Sequence, residues 1–495
     1  MDRRYSSNCF AVAQQFSPRS CALSRPISAS SVRFAEATGQ IPEPHQAATP
    51  PETGSKTSDR HEAPLGPARS VRSALRRAFP ALSNPHYRLL WLGLIPSMLA
   101  NQMGMVASGY TAFALTGSAT VLGIVSSAAS IPMLALSLVG GVVADRSPRR
   151  LLIVCSQSAM GLATAAVAVL AFLGWLDVWH LIALGLINGC AFSFNMPARQ
   201  AYTADLVGSS LLRSAVSLNN AGMNFNRILG PALAGILLVL PGVGAAGTFT
   251  MMAVCFAAAV ATLIRLPAGQ PAGSGLADRP PALKQLVDGL GYIRSSASIR
   301  TLLFVALVTL LFGMPYQALM PLFADKVYGA GAQGLGVLNA AVGVGALLGS
   351  LAAASGSGSG EMLRRLQLMA GLGFGGSLIA FGLAPTFGFA VAGVTMVGFA
   401  WASFMALNAT LIMSNTEPGY YGRVMSVYLL TFGFMPVSTI PAGWLADLIG
   451  GPPTIVICGV LVLIFLGTAS FLPSYRLIQA EVRWAPPERV LAPVS

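Results

Sequence analysis

The chain has 495 residues, of which 54% are hydrophobic and only 9% charged, whereas a soluble globular protein carries roughly 25% charged residues. With 53 glycines and a mean hydropathy of +0.67, that deficit excludes a soluble enzyme built on one core and points to an all-α polytopic membrane protein. The net charge of +13 does not imply a nucleic-acid partner, because the basic residues fall in tails and short connections and not on one folded face.

Residues 1–84 are rich in Ser, Pro, Ala and Arg without sustained periodicity, and are expected to form a disordered cytoplasmic tail. Arg3 and Arg4 precede no apolar core, so this is not a signal peptide. From Leu89 onward twelve spans are predicted, at about 89–114, 119–143, 151–174, 179–198, 215–240, 245–266, 300–323, 334–354, 366–384, 387–411, 424–446 and 453–473. Each is long enough to cross about 30 Å of hydrocarbon. The more polar stretch 267–299 divides them into a six-helix bundle over 85–266 and another over 300–473, with a cytoplasmic C-terminal tail over 474–495.

Loop charge sets the orientation. Alternate connections carry Arg146, Arg149 and Arg150, then Arg199 and Arg213, then Arg279, Lys284 and Arg294, then Arg364 and Arg365, then Arg423. The opposite set holds only Lys326, so both termini and the central loop are expected to face the cytoplasm. The halves also echo each other. "LLRSAVSLNNAG" opens the fifth span and "YGRVMSVYLLTFG" the eleventh, with Arg213 and Arg423 at an offset of 210 (423 − 213). A weak repeat of this kind predicts two bundles related by a pseudo-twofold axis.

Between the second and third spans lies "GGVVADRSPRR". Gly140 and Gly141 permit close backbone approach. Arg146, Arg149 and Arg150 either enforce topology or, with Asp145, form a contact that holds the cytoplasmic side shut in one state. Topology alone does not explain the acid. The pattern Gly141-x-x-x-Asp145-Arg146-x-Pro148-Arg149-Arg150 resembles the signature loop of the major facilitator superfamily, with proline where that family usually has glycine. "LTGSATVLG", "MPARQAYTADLV", "NFNRILGPALAG" and "GRVMSVYLL" resemble its enterobactin-exporter-like, transmembrane secretion effector branch over about residues 85–475. The resemblance implies twelve helices rocking about a central site, proton coupling, and residence in a bacterial cytoplasmic (inner) membrane.

Arg227 falls near the middle of the fifth span, where a charge costs at least roughly 2.5–3.5 kcal/mol. Asn220, Asn224 and Arg227 recur at spacings of four and three, so they share one helix face. They are read as cavity lining; the alternative is that Arg227 locks the bundle through backbone carbonyls. Asn101 and Gln102, Tyr316 and Gln317, Asn339, Trp401 and Asn408 are further candidates for the same cavity, although interhelical hydrogen bonding explains a lone amide equally well. Phe and Met are expected mostly in lipid contact or core packing. Gly230, Pro231 and Gly235 resemble part of an antiporter signature that bends and seals the fifth helix, or form an ordinary proline kink.

No catalytic, metal-binding or cofactor-binding residue is assigned. Six cysteines show no CxxC or Cys/His pairing, none of the three lysines belongs to a GxxxxGK[ST] loop, and HExxH and GxSxG do not occur. The leading expectation is a proton-coupled secondary exporter of a small amphipathic organic compound, with lipid bilayer, substrate and protons as its partners. Import of an anionic nutrient and a non-transporting sensor are the alternatives.

Overall fold

The computed structural model describes residues 80–267, 282–355, 360–476 and 478. The predicted tails beyond these limits and residues 268–281 of the central loop lie outside the described residues.

The chain enters its first long helix through a cap. Asn84 accepts hydrogen bonds from the backbone N–H groups of His86 and Tyr87 at 3.0 and 3.2 Å, and Pro85 takes the first helical position. Helix α1 (Pro85–Thr116) ends where Gly117 adopts a left-handed conformation, φ 65°. Ser118 caps α2 (Ala119–Ser127), which resumes after a two-residue break as α3 (Ser130–Arg146). After α4 (Arg149–Phe172), Asp177 and His180 form a capping box at the start of α5 (Val178–Gly208). Only the turn at Gly208, φ 68°, separates α5 from α6 (Ser210–Val239), and α7 (Gly244–Ile264) completes the first half.

The second half contains α8 (Ala282–Ser295), α9 (Ala297–Gly313), α10 (Pro315–Leu322) with a π-helical turn at Phe323–Val327, and α11 (Gly331–Ser355). Then follow α12 (Gly360–Gly382), α13 (Phe387–Ser414), α14 (Tyr421–Leu430), α15 (Met435–Ile449), α16 (Gly451–Phe471) and the short α17 (Pro473–Arg476). Among the described residues, eleven helical segments are long and apolar enough to cross a membrane. Helix α12, opened by Glu361, Arg364 and Arg365, is not among the eleven, but it packs between α13 and α16 at the ninth place in the expected order. Leu162 and Trp179, both more than 70% exposed, belong to an apolar outer surface suited to lipid.

Two expected boundaries change. The second span is broken at Ala128–Ala129, and part of the central loop is the amphipathic helix α8. Tyr292 of α8 stacks on Tyr420 with ring centroids 4.2 Å apart, and its hydroxyl accepts from the backbone N–H of Glu417 at 3.1 Å. The aromatic face needed for that docking is invisible in composition.

In the first half α1 packs on α6 and α7, and α4 on α5 and α7; in the second, α13 packs on α11 and α12, and α12 on α16. The halves meet most extensively along two crossings, α2 on α15 and α6 on α11. Both are built on glycine. A Cβ on Gly123 would lie 2.5 Å from the Thr439 carbonyl oxygen, and one on Gly443 would strike the Ala119 carbonyl. A Cβ on Gly235 would lie 2.9 Å from Gly336 Cα, and one on Gly343 would lie 3.2 Å from the Arg227 carbonyl oxygen. Without a solvent-driven hydrophobic effect between helices, such backbone approach is how membrane helices gain packing energy.

Candidate functional site

The helix directions define two ends. Arg149, Arg150, Arg213 and Arg423 mark a basic side, where α1, α4, α6 and α14 begin. The far side carries Gly117, Asp177 and Gly450.

Asp447, near the end of α15, closes the far side onto α2. Its carboxylate accepts hydrogen bonds from the Ser118 hydroxyl (2.8 Å), the Ala119 N–H (2.7 Å), the Thr120 N–H (2.9 Å) and the Thr120 hydroxyl (2.7 Å). An acid from one half thus satisfies the open N-terminus of a helix in the other, where the helix dipole also favours negative charge. Lys326 adds a second tie, donating to the Gly117 carbonyl at 2.7 Å over the Phe113 ring. Deeper along the same crossing the Ser127 and Thr439 hydroxyls bond each other.

Toward the basic side the halves separate around a cavity of about 740 Å³. Its lining contains Asn101, Gln102, Asn224, Arg227, Gln317 and Trp401, drawn from α1, α6, α10 and α13. A smaller chamber of about 220 Å³ adjoins it toward the far side, sharing Asn101 and Gln317 and adding Asn188 and Asn339. Arg227 lies 12 residues before the end of α6, roughly 18 Å from the far end at about 1.5 Å per residue.

Three expected lining residues sit elsewhere. Asn220 shares a helix face with Asn224 but lies one turn nearer the basic end, beyond the cavity, and is exposed. Tyr316 turns into the core of the second half, edge-on to Phe374 with centroids 6.4 Å apart, because adjacent residues on a helix point about 100° apart. Asn408 is fully buried, and its Oδ1 accepts from Gln367 Nε2 at 2.8 Å, while Gln367 Oε1 accepts from the Tyr475 hydroxyl at 2.7 Å. That network ties α12, α13 and α17 together.

In the basic loop, Arg149 and Arg150 bond within the first half. Arg149 pairs with Asp205 and donates to the Ala201 carbonyl at 3.2 Å, while Arg150 donates to the Leu266 carbonyl at 2.8 Å. All these partners belong to the first half. The side chains of Asp145 and Arg146, like Gly141 near the end of α3, lie outside what the structure describes in detail. Gly230 admits Gln102, whose Cβ would lie 2.5 Å from an added Cβ, and Gly235 makes the α6–α11 crossing. Pro231 lies within α6, and the break in helical dihedrals falls at Gly208 instead.

Sequence reasoning missed two features. Arg199, counted among loop charges, belongs to α5 and lines the cavity at 7% exposure, with Gln157 and Asn195 beside it. The signal was present: Phe192, Asn195, Met196 and Arg199 follow the i, i+3, i+4, i+7 spacing of one helix face and all line the cavity. Methionine was the second. Met98, Met105, Met160, Met196 and Met223 from the first half and Met314, Met405 and Met435 from the second line the cavity, eight of the chain's 19. Thioether side chains make an apolar wall that reshapes around different ligands. No Asp or Glu occurs among the described residues lining either cavity.

The transmembrane secretion effector profile matches residues 76–492. The multidrug efflux pump Tap of Mycolicibacterium fortuitum is 28% identical over 401 residues, covering 78% of this chain and 96% of the relative. Macrolide efflux protein A of Streptococcus pyogenes is 23% identical, covering 76% and 92%. The enterobactin exporter EntS of Shigella flexneri is 26% identical, covering 70% and 81%. In fold, the chain is similar to a bacterial homologue of the lysosomal transporter Spinster in an inward-facing, unoccupied conformation, with TM-score 0.64, 14% identity, and 81% and 99% of the two chains covered. A D-xylose–proton symporter gives TM-score 0.61 at 15% identity, covering 79% and 99%. With its polytopic helical fold and a profile match over nearly its whole length, the chain belongs to the transmembrane secretion effector family of the major facilitator superfamily.

Proposed function

We propose that this protein exports a small amphipathic organic compound across the bacterial cytoplasmic membrane by alternating access. The observation that carries the reading is the cavity of about 740 Å³ between two halves whose closest backbone approaches lie on its other side. With the basic side cytoplasmic, as loop charge favours, the structure is an inward-open state ready to load. Outward opening requires the glycine crossings to part and Asp447 to release Ser118 and Thr120. Proton antiport belongs to this reading. Because no carboxylate lines the described cavities, the coupled proton is carried by a group outside them or by the substrate itself.

The test compares culture media of a deletion strain complemented with wild type or Arg227→Ala, by untargeted mass spectrometry and with a panel of toxic compounds. A metabolite or a resistance restored by wild type alone establishes export. No difference under any condition rejects it. The two cavity arginines also suit import of an anionic nutrient, which net inward flux of labelled substrate in whole cells would reveal.

A further inference from the structure

Arg199 lies nine residues before the end of α5, roughly 14 Å in from the basic side at about 1.5 Å per residue. It is 7% exposed and lines the large cavity. Among the described residues its guanidinium has neither an ion-pair nor a hydrogen-bond partner; the nearby acid Asp205 is taken by Arg149. A positive charge that only sets topology keeps its head in bulk water or headgroups, whereas this one is largely buried and lines the cavity.

Two polar groups beside it are buried without partners. Asn195, four residues earlier on the same face of α5, is 6% exposed and its Nδ2 has no partner. Gln157 of α4 is 2% exposed and its Oε1 has no partner. The Arg149–Ala201 bond fixes the antiparallel register: Gln157 is eight residues on along α4, and Asn195 six back along α5, so the two face the cavity at nearly the same level. Buried polar groups are normally paired, and each unpaired one carries a desolvation penalty. Here several unpaired groups, one of them a cation, converge on one wall. Arg227 adds a second positive charge deeper in, and no acid among the described lining residues offsets either.

We propose that Arg199 and Asn195 form an anion-binding subsite at the mouth of the cavity, which takes the carboxylate or sulfonate group of an amphipathic organic anion while the methionine wall holds its apolar body. The proposal deepens the export reading and rests on the cavity being the substrate site. A guanidinium and an amide N–H on one helix face supply charge-assisted donors to an oxoanion, and enclosure strengthens them. Methionine supplies adaptable packing without competing hydrogen bonds.

The full chain in nanodiscs is titrated with 8-anilinonaphthalene-1-sulfonate and with N-phenyl-1-naphthylamine, which shares the aromatic skeleton but lacks the sulfonate; fluorescence over empty nanodiscs is read. Wild type is expected to bind the sulfonate at least tenfold more tightly than the neutral probe. Arg199→Gln should weaken the sulfonate about 30-fold, the scale of a hydrogen bond to a charged group, and shift the neutral probe less than twofold. Asn195→Asp, which places a carboxylate beside Arg199, should erase the same preference and serves if Arg199→Gln does not fold. A wild type without preference, or a preference that survives both variants, overturns the anion subsite while leaving the cavity a ligand site. Binding of neither probe to wild type rejects the cavity as a ligand site, and the export reading with it.

Discussion

The two ends of the molecule are held by different physics. At the far side the halves touch backbone to backbone: Gly123 and Gly443 bring α2 onto α15, and Gly235 and Gly336 bring α6 onto α11. Asp447 and Lys326 reach across the divide there. At the basic side the strongest ties stay inside one half: Arg149 to Asp205, Arg150 to the Leu266 carbonyl, and Gln367 to Asn408. A tie within a half stiffens a body that moves as a unit, whereas a tie between halves defines a state. Among the described side chains, the far side therefore carries the polar ties between halves, while Arg149 and Arg150 reinforce one bundle.

The strongest test of that contrast is steric. Gly443→Leu forces a side chain into the Ala119 carbonyl, and Gly336→Leu does the equivalent at the other crossing, with a Cβ 3.0 Å from the Pro231 carbonyl oxygen. Overpacking of a tight contact costs about 1–3 kcal/mol, so each should cut efflux more than tenfold with membrane levels maintained. Gly291→Leu, on a face with nothing within 4 Å, should change nothing. Unimpaired efflux in both crossing variants would overturn that contrast.

Next in size is Arg227→Ala, expected to reduce efflux about tenfold or more while the protein inserts normally, because it removes a cation that faces the cavity at depth. Full activity would remove Arg227 from the site. Asp447→Asn should then shift the conformational balance: a cysteine at Thr120 should react with an impermeant maleimide several-fold faster than in the Asp447 background, since an amide replaces the carboxylate that accepts four bonds. An unchanged rate would reduce Asp447 to a helix cap.

The smallest effect on transport is expected at the basic side. Arg149→Gln should lower the melting temperature by a few degrees, since it leaves Asp205 and the Ala201 carbonyl without their partner, and should keep efflux within about twofold. Loss of flux at unchanged stability would restore the gate between halves that the sequence pattern of Asp145 and Arg149 led one to expect. Deletion of residues 1–70 should leave insertion intact, as judged by membrane fractionation.

Much of the architecture was readable without coordinates. A membrane leaves few ways to bury a backbone, so apolar runs of sufficient length have to become helices, and the order of spans followed from them. The site was legible only in part. Arg227 and Asn224, which line the large cavity, stand out in the sequence because a polar residue deep in an apolar run is expensive wherever it points. Arg199 was missed because α5 extends about ten residues past the apolar run that predicted it, to Gly208, and a charge near a helix end reads as a loop charge. Tyr316 and Gln317 show the converse: neighbours in sequence with similar polarity, one turned into the core beside Phe374 and the other into both cavities.

Composition and periodicity alone determined that this chain is a polytopic helical membrane protein, which end of each span is basic, and that a cation lies deep in the fifth span. These are properties of single helices facing a solvent with one overriding demand. Only the tertiary structure decided which bundle Arg149 and Arg150 serve, that eight methionines face a cavity and not lipid, that Asp447 caps a helix of the other half, and that Arg199 has no ion-pair or hydrogen-bond partner among the described residues. Those depend on rotation and depth of one helix against another, and helices that cross on glycine can be turned by a few tens of degrees without altering the sequence pattern that made them helical.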